Sequence, residues 1–401
     1  MKITQLETIR IADFPQLLWL QVHTDDGVTG LGETFMNAGS AEAYIHEAIA
    51  PALIGRDPLA IDAISRDSVP YVGFGATGVE MRAASCLDIA LWDLFGKCVR
   101  QPLVQLLGGR TRDSIRTYNT CAGSQYMRAA KTQSTGNWGL QSQPQTPAIS
   151  GFDDLNDFLT RADELAESLL SEGITAMKIW PFDIAAEKTN GNYIAAEDLK
   201  LALQPFEKIR KRVGNKIEIM VEFHSLWQLT PAITIAKALE PFGTFWHEDP
   251  IRMNNLEALK RYAAVSAAPI CASETLATRW AFRDLLQREV VGVVMFDVAW
   301  CGGISEARKI ASMAEAWQLP IAPHDCTGPV VYTASTHLAL NAPNALFQES
   351  VRGFYKGWYP EVVTAMPKVE NGQVIVPEGP VLGCELRPDL DRRFSVSRWL
   401  S

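Results

Sequence analysis

Six ionisable residues recur at nearly constant spacing through the second half of the chain, each at the end of a short apolar segment. The intervals between successive members are 26, 26, 23, 27 and 25 residues, a length typical of one strand followed by one helix. The members are Glu222, Glu248, Glu274, Asp297, His324 and Glu349. Strands buried inside a ring of helices have no packing reason to end in charge, whereas catalytic residues of barrels gather at these ends. The spacing therefore favours an α/β fold of the (β/α)8 TIM-barrel type with a polar site on one face.

The barrel is predicted to span residues 113–364, where short apolar strands alternate with amphipathic helices. Eight strand segments run from SIRTYNTCAG to ALFQES, and a helix is predicted from Asp153 to Gly173. A doubly wound sheet is the structural alternative. The polar segment 131–150 falls between the first strand and its helix, so it is either a lid over the site or an exposed loop without a role.

Residues 1–112 have a different pattern. The segment LLWLQVHT alternates apolar and polar residues, turns at Asp25-Asp26-Gly27 and continues into VTGLGE, which indicates antiparallel strands. Helices follow between Met81 and Leu107 and end at Gly108-Gly109. This pattern predicts an α+β domain ahead of the barrel.

Composition excludes several classes of function. The 401-residue chain has a net charge of -9, which gives it no electrostatic reason to bind nucleic acid or an anionic membrane. It has no run of 18 apolar residues and no signal-peptide pattern. Seven scattered cysteines without CxxC spacing argue against a disulfide framework or a structural zinc site. We expect a cytoplasmic protein that acts on a small molecule.

Three of the spaced residues, Glu222, Glu248 and Glu274, end consecutive strands and should point three carboxylates at one region. Their mutual repulsion requires a cation. Ligands that are all oxygen select a hard metal, and Mg²⁺ suits a site that keeps open positions for water or substrate oxygens. The sequence therefore predicts a magnesium site.

The segment LDIALWDLFGKCVRQPLVQLLGG, residues 87–109, resembles the signature helix and loop of the mandelate racemase subgroup of the enolase superfamily. The resemblance covers essentially the whole chain. It implies that 1–112 is a capping domain, that 365–401 returns to complete it, and that the protein is a homo-oligomer. It also implies that the three glutamates bind Mg²⁺, that Asp297 and His324 form a catalytic pair, and that Glu349 hydrogen-bonds the carboxylate region of the substrate.

In this interpretation His324 removes the proton next to a substrate carboxylate, Asp297 orients its imidazole, and Mg²⁺ stabilises the enediolate.

The subgroup often has Lys-x-Lys at the end of the second strand, where this chain has Lys178-Ile179-Trp180. Racemisation thereby loses its second base. Lys178 is left to contact the carboxylate or metal region, or to serve the structure. Trp180 is predicted to contact the substrate or to pack in the core, and Asn119 is also assigned to substrate binding.

In the third strand, Glu222-Phe223-His224 resembles the Asp-x-His of sugar-acid dehydratases, in which the histidine is a general acid. Strand alternation puts Glu222 and His224 on the same side, so His224 could protonate a departing β-hydroxyl. The preferred hypothesis is a dehydratase of aldonic or aldaric acids that forms a 2-keto-3-deoxy acid. An epimerase or cycloisomerase acting through the same enediolate is the second hypothesis. A non-catalytic sugar-acid binding protein is the third.

Overall fold

The structure, a computed structural model, describes residues 1–69, 77–123, 126–128, 134–136, 140 and 153–401. The strands in these ranges are β1 (Ile3–Ile11), β2 (Leu17–Thr24), β3 (Thr29–Phe35), β4 (Ile115–Thr120), β5 (Ala176–Ile179), β6 (Glu218–Glu222), β7 (Trp246–Glu248), β8 (Ile270–Ala272), β9 (Val293–Val294), β10 (Gln348–Ser350), β11 (Lys368–Glu370), β12 (Gln373–Ile375) and β13 (Val396–Leu400). The α-helices of the amino-terminal region are α1 (Ala38–Tyr44), α2 (Ala50–Leu53), α3 (Ile61–Asp67), α4 (Val79–Val99) and α5 (Leu103–Leu106).

The remaining α-helices follow the strands of the second region. They are α6 (Asp154–Thr160), α7 (Ala162–Ser171), α8 (Asp183–Thr189), α9 (Ala196–Val213), α10 (Leu229–Leu239), α11 (Leu256–Ala263), α12 (Thr278–Leu286), α13 (Gly303–Ala316), α14 (Pro329–Asn341), α15 (Tyr359–Val362) and α16 (Leu390–Arg393). Short π-helical turns lie at Ile45–Ile49 and Phe354–Trp358, and a 3-10 turn lies at Glu240–Phe242.

The capping domain is an antiparallel sheet of order β13-β1-β2-β3 covered by α4. Two glycines of β3 allow the close approach of this helix. A Cβ atom at Gly30 would lie 2.1 Å from the carbonyl oxygen of Ala90, and one at Gly32 would lie 2.0 Å from that of Cys86. The carboxyl-terminal strand β13 pairs with β1, which confirms that the tail completes the capping domain.

The second region is a closed barrel, as predicted. Strands β4 to β9 are neighbours in chain order and pair in parallel, and β10 pairs in parallel with β4 to close the ring. The seventh position is formed by bridges at Ile321 and His324 instead of a full strand. Large buried side chains fill the barrel interior below the site: Tyr118, Met220, Trp246, Met295 and Phe347.

The helix predicted over Asp153–Gly173 is two helices in the structure, α6 and α7. They meet at Arg161, whose backbone angles of φ -138° and ψ 51° interrupt the helical path. Most of the segment 131–150, the predicted lid or loop, lies outside the described residues. Among the residues that are described, no helix is both long and apolar enough to cross a membrane.

Candidate active site

Three carboxylates converge at the carboxyl ends of neighbouring barrel strands. Glu222 ends β6, Glu248 ends β7, and Glu274 follows β8 by two residues. One oxygen from each lies within 4.8 Å of one oxygen from each of the others. The first two are fully buried, and the side chain of Glu274 is 11% exposed. This arrangement is suited to a single cation with all-oxygen ligands.

Lys178, at the end of β5, lies against the same carboxylates. Its Nζ atom is closest to Oε1 of Glu248 and lies 3.0 Å from Glu349 and 3.3 Å from Glu222. Burial by itself would lower the pKa of Lys178, but the charges of Glu248 and Glu349 outweigh it and raise this pKa well above its ordinary value. The lysine is therefore a fixed positive charge in the floor of the site.

Burial governs how these acids titrate. It raises the pKa of Glu222 to about 7 and that of Glu248 well above its ordinary value. Burial would also raise the pKa of Glu274, but the neighbouring His324 imidazolium outweighs it and lowers this pKa to about 2. A bound cation would favour the ionised form of all three acids.

His324 lies between two carboxylates. Its Nδ1 atom is 2.6 Å from Oδ2 of Asp297, and its Nε2 atom is 2.7 Å from Oε2 of Glu274. The other oxygen of Asp297 accepts a hydrogen bond from the backbone N–H of Ala299 at 2.6 Å. The ring of Trp300 lies 5.3 Å from the imidazole ring. Asp297 thus fixes the orientation of the imidazole and leaves Nε2 directed at the carboxylate cluster.

His224 forms a second pair of the same kind. Its Nδ1 atom is 2.6 Å from Oδ2 of Asp183, a fully buried residue at the start of α8. The backbone N–H of His224 donates to Oε1 of Glu222 at 2.6 Å, and its ring lies 5.7 Å from that of Trp180. Burial opposes the charge of His224, but Asp183 outweighs it and raises the pKa of this histidine.

Both histidines open onto one cavity of about 230 Å³. The barrel contributes the charged groups and two tryptophans to it, and the capping domain contributes Phe35 and Met36. His224 follows the third barrel strand and His324 lies at the seventh, so strand order places them on opposite sides of the ring. The remaining lining residues are Thr120, Ala122, Tyr126, Lys178, Trp180, Leu226, Glu274, Trp300 and Cys326.

Glu349, predicted to contact the substrate's carboxylate region, is buried beside Lys178. One of its oxygens accepts from the hydroxyl of Thr120, and the other accepts from the backbone N–H of Asp325 at 2.8 Å. Burial would raise the pKa of Glu349, but Lys178 outweighs it and lowers this pKa. Glu349 therefore holds Lys178 and the residue after His324 in place.

The structure brings nearly all the predicted site residues together, and Asn119 is the exception. Its side-chain amide donates to Asp154 at 2.9 Å and accepts from the backbone N–H of Arg352 at 2.8 Å, and neither partner is a predicted site residue. The adjacent Thr120 lines the cavity instead, because side chains alternate along a strand.

The sequence did not predict Asp183 or the two cavity residues from the capping domain. Asp183 lies three residues after Trp180, and an acidic residue just beyond the end of a barrel strand was the available signal. Phe35 ends β3 and Met36 follows it, and neither carries a comparable signal, since they reach the cavity only through the packing of two domains.

Comparison with known families decides the assignment. Residues 9–108 match the model for the mandelate racemase/muconate lactonizing enzyme N-terminal domain, and residues 161–390 match the enolase C-terminal domain-like model. The chain belongs to the mandelate racemase/muconate lactonizing enzyme family. An enolase of the mandelate racemase subgroup from Agrobacterium tumefaciens has 60% identity and a TM-score of 0.88, with 100% of this chain and 99% of that one covered.

Some relatives of the present chain, itself a member of this family, have named activities. It is 31% identical to a D-galactonate dehydratase from Ralstonia pickettii over 99% of this chain and 94% of that protein. It is 28% identical to the D-galactonate dehydratase of Xanthomonas campestris pv. campestris, over 98% and 94% of the two chains. These full-length similarities confirm the predicted superfamily and the predicted enzyme class, a hydro-lyase.

Proposed function

We propose that the protein is a Mg²⁺-dependent dehydratase of aldonic or aldaric acids. The observation that carries the proposal is the pair of histidine–carboxylate dyads, His324 with Asp297 and His224 with Asp183, on opposite sides of one cavity. Dehydration requires a base and an acid that act on neighbouring carbons, and the two dyads supply both. Full-length relatives named D-galactonate dehydratase support a sugar acid as the substrate.

Glu222, Glu248 and Glu274 would hold the Mg²⁺ ion. They fit it because the donors are all carboxylate oxygens, clustered within 4.8 Å and shielded from water. When bound, the cation would stabilise the negative charge that builds up on the substrate carboxylate as the adjacent proton leaves. Lys178 adds a second positive charge to the same end of the cavity.

The protein residues then account for the proton movements. In its neutral form, His324 takes the proton from C2 at Nε2, and Asp297 stabilises the resulting imidazolium. The C3–O bond breaks as the C2–C3 double bond forms, and His224 donates its proton to the leaving hydroxyl, which departs as water. The enol product becomes a 2-keto-3-deoxy acid. Trp180 and Trp300 lie against the two histidines and restrict access of water to them.

A library of aldonic and aldaric acids tests the proposal directly. We expect at least one member to yield a 2-keto-3-deoxy acid with Mg²⁺ present, and EDTA to abolish turnover until Mg²⁺ is restored. Formation of a C2 epimer without any keto product would support the epimerase hypothesis instead. Binding without turnover or C2 proton exchange would support the binding-protein hypothesis.

A further inference from the structure

The end of strand β3 connects the capping domain to the two loops that follow Asp297 and His324. We call Glu33–Met36 the β3 terminus. The hydroxyl of Thr34 donates to the carbonyl oxygen of Ala299 at 3.2 Å, and Nε1 of Trp300 donates to that of Phe35 at 3.2 Å. Both partners belong to the loop that follows Asp297. Phe35 therefore both contacts the loop after Asp297 and lines the cavity.

Glu33 makes the connection to the other loop. It is fully buried, and its Oε1 atom accepts from the backbone N–H of Val331 at 3.0 Å. Val331 is the third residue of α14, so a side chain from the capping domain satisfies a free N–H at the start of a barrel helix. Oε2 of Glu33 accepts from Nε1 of Trp19 at 2.6 Å, which fixes the carboxyl group from the other side.

Gly328, the residue that precedes α14, shows how closely this contact is built. The position before a helix usually carries a side chain that caps it, and glycine has none. A Cβ atom at Gly328 would lie 2.4 Å from the carboxyl group of Glu33. Glu33 thus occupies the space of the missing capping group, and only a residue without a Cβ atom at position 328 leaves room for its carboxyl group.

A parallel contact holds the helix after Asp297. Oδ2 of Asp88, on helix α4 of the capping domain, accepts from the backbone N–H of Ser305 near the start of α13 at 2.9 Å. Both barrel helices that follow the dyad residues therefore begin against buried carboxylates of the other domain. Only the loop from Asp325 to Gly328 separates His324 from the helix that Glu33 holds.

We propose that Glu33 is a positioning residue that holds the start of α14, and through the short loop before it the imidazole of His324, against the cavity. The catalytic part of this inference rests on the proposed function, because it takes His324 as the base. Its structural part, that Glu33 fixes the loop 325–328 and the start of α14, does not.

The test compares Glu33→Ala and Glu33→Gln with a matched control, Asp93→Asn. Asp93 is also a buried carboxylate bound to β3, accepting from Leu31 N–H at 2.8 Å and pairing with Lys97, but these partners lie within the capping domain. We expect Glu33→Ala to lower kcat by about 10- to 100-fold, as small displacements of a catalytic group do, with KM within about threefold. Asp93→Asn should lower Tm but leave kcat near that of the wild type.

A double variant provides a second measurement that does not depend on Glu33→Ala folding. The amide of Glu33→Gln can accept from Val331, but it then turns its NH₂ group toward the N–H of Trp19. Trp19→Phe removes that donor, so Glu33→Gln/Trp19→Phe should recover kcat relative to Glu33→Gln alone. Trp19→Phe by itself is the control for the lost indole.

Three outcomes would overturn the proposal: unchanged kcat in folded Glu33→Ala, equal loss of kcat in Asp93→Asn at matched Tm, or no rescue in the double variant. Amide hydrogen exchange of residues 325–331 distinguishes failure of the positioning proposal from failure of the proposed function. If the wild type dehydrates no acid, the proposed function fails, yet faster exchange of these amides in Glu33→Gln than in Asp93→Asn still supports the structural part. Equal exchange rates in Glu33→Gln and Asp93→Asn would overturn the structural part.

Discussion

The two histidine dyads share their chemistry and differ in how tightly the fold holds them. His324 lies at a bridge between neighbouring barrel positions, contacts Asp297 and Glu274, and has a side chain that is 5% exposed. His224 lies two residues beyond the end of its strand, has a left-handed backbone with φ 49°, and is 20% exposed. The closest carboxylate to its ring is that of Asp183.

This difference matches the demands of the two proton transfers that we propose. Removing a proton next to a carboxylate is the difficult step, and it needs a base held at a fixed position against the charge-stabilising groups. Protonating a departing hydroxyl is easier and tolerates a more accessible acid. The fold accordingly surrounds His324 with two strand ends and the capping domain, and places His224 in a loop.

Removing the carboxylate partner of each histidine should lower kcat by different amounts. We expect Asp297→Asn to lower kcat by about 100-fold, because His324 must become an imidazolium during the difficult step. Asp183→Asn should lower kcat by about 10-fold, because Asp183 raises the pKa of His224 and its loss leaves less of this histidine protonated. Steady-state kinetics on variants with wild-type Tm checks the order. A larger loss in Asp183→Asn would reverse the comparison.

A third buried histidine separates the effect of burial from that of a carboxylate partner. His337 accepts a hydrogen bond from the backbone N–H of Val104, and its other ring nitrogen faces the carbonyl oxygen of Leu382. Burial lowers its pKa to about 4, whereas nearby carboxylates, Glu274 above all for His324 and Asp183 for His224, raise the pKa of the two dyad histidines. His337 is therefore neutral in the folded protein.

Acid should destabilise the fold through this residue. Between pH of about 6.5 and about 4 the unfolded chain binds a proton at His337 that the folded protein does not, so stability falls as pH falls, by up to about 1.4 kcal/mol per pH unit. Urea unfolding of the wild type and His337→Gln at several pH values measures the difference. Identical pH slopes in the two proteins would show that His337 titrates normally.

The sequence predicted the barrel and most of the site because both follow one repeat. Residues that end consecutive βα units must gather at one face, so Glu222, Glu248, Glu274, Asp297 and His324 could be placed together without coordinates. The closure of the ring by β10 agrees with that prediction, and the return of the tail to β1 agrees with what the family resemblance implied.

What the sequence did not reveal depends on contacts between distant segments or on a shift of one residue. Glu33 and Val331 are 298 positions apart, and only the packing of two domains joins them. Asn119 and Thr120 are adjacent, yet strand alternation turns Thr120 toward Glu349 and Asn119 toward Asp154. Asp183 meets His224 because the segment after β5 turns into α8 beside the third strand.

The roles of the two histidines are tested most directly by following C2 proton exchange and keto-acid formation together in D₂O. With an acid that the wild type dehydrates, we expect His224→Asn to lose at least about 100-fold of its dehydration rate, a typical loss for a general acid, while exchange at C2 persists. His324→Asn should lose both reactions. Undiminished dehydration by His224→Asn, or continued C2 exchange by His324→Asn, would contradict the assignment of acid and base.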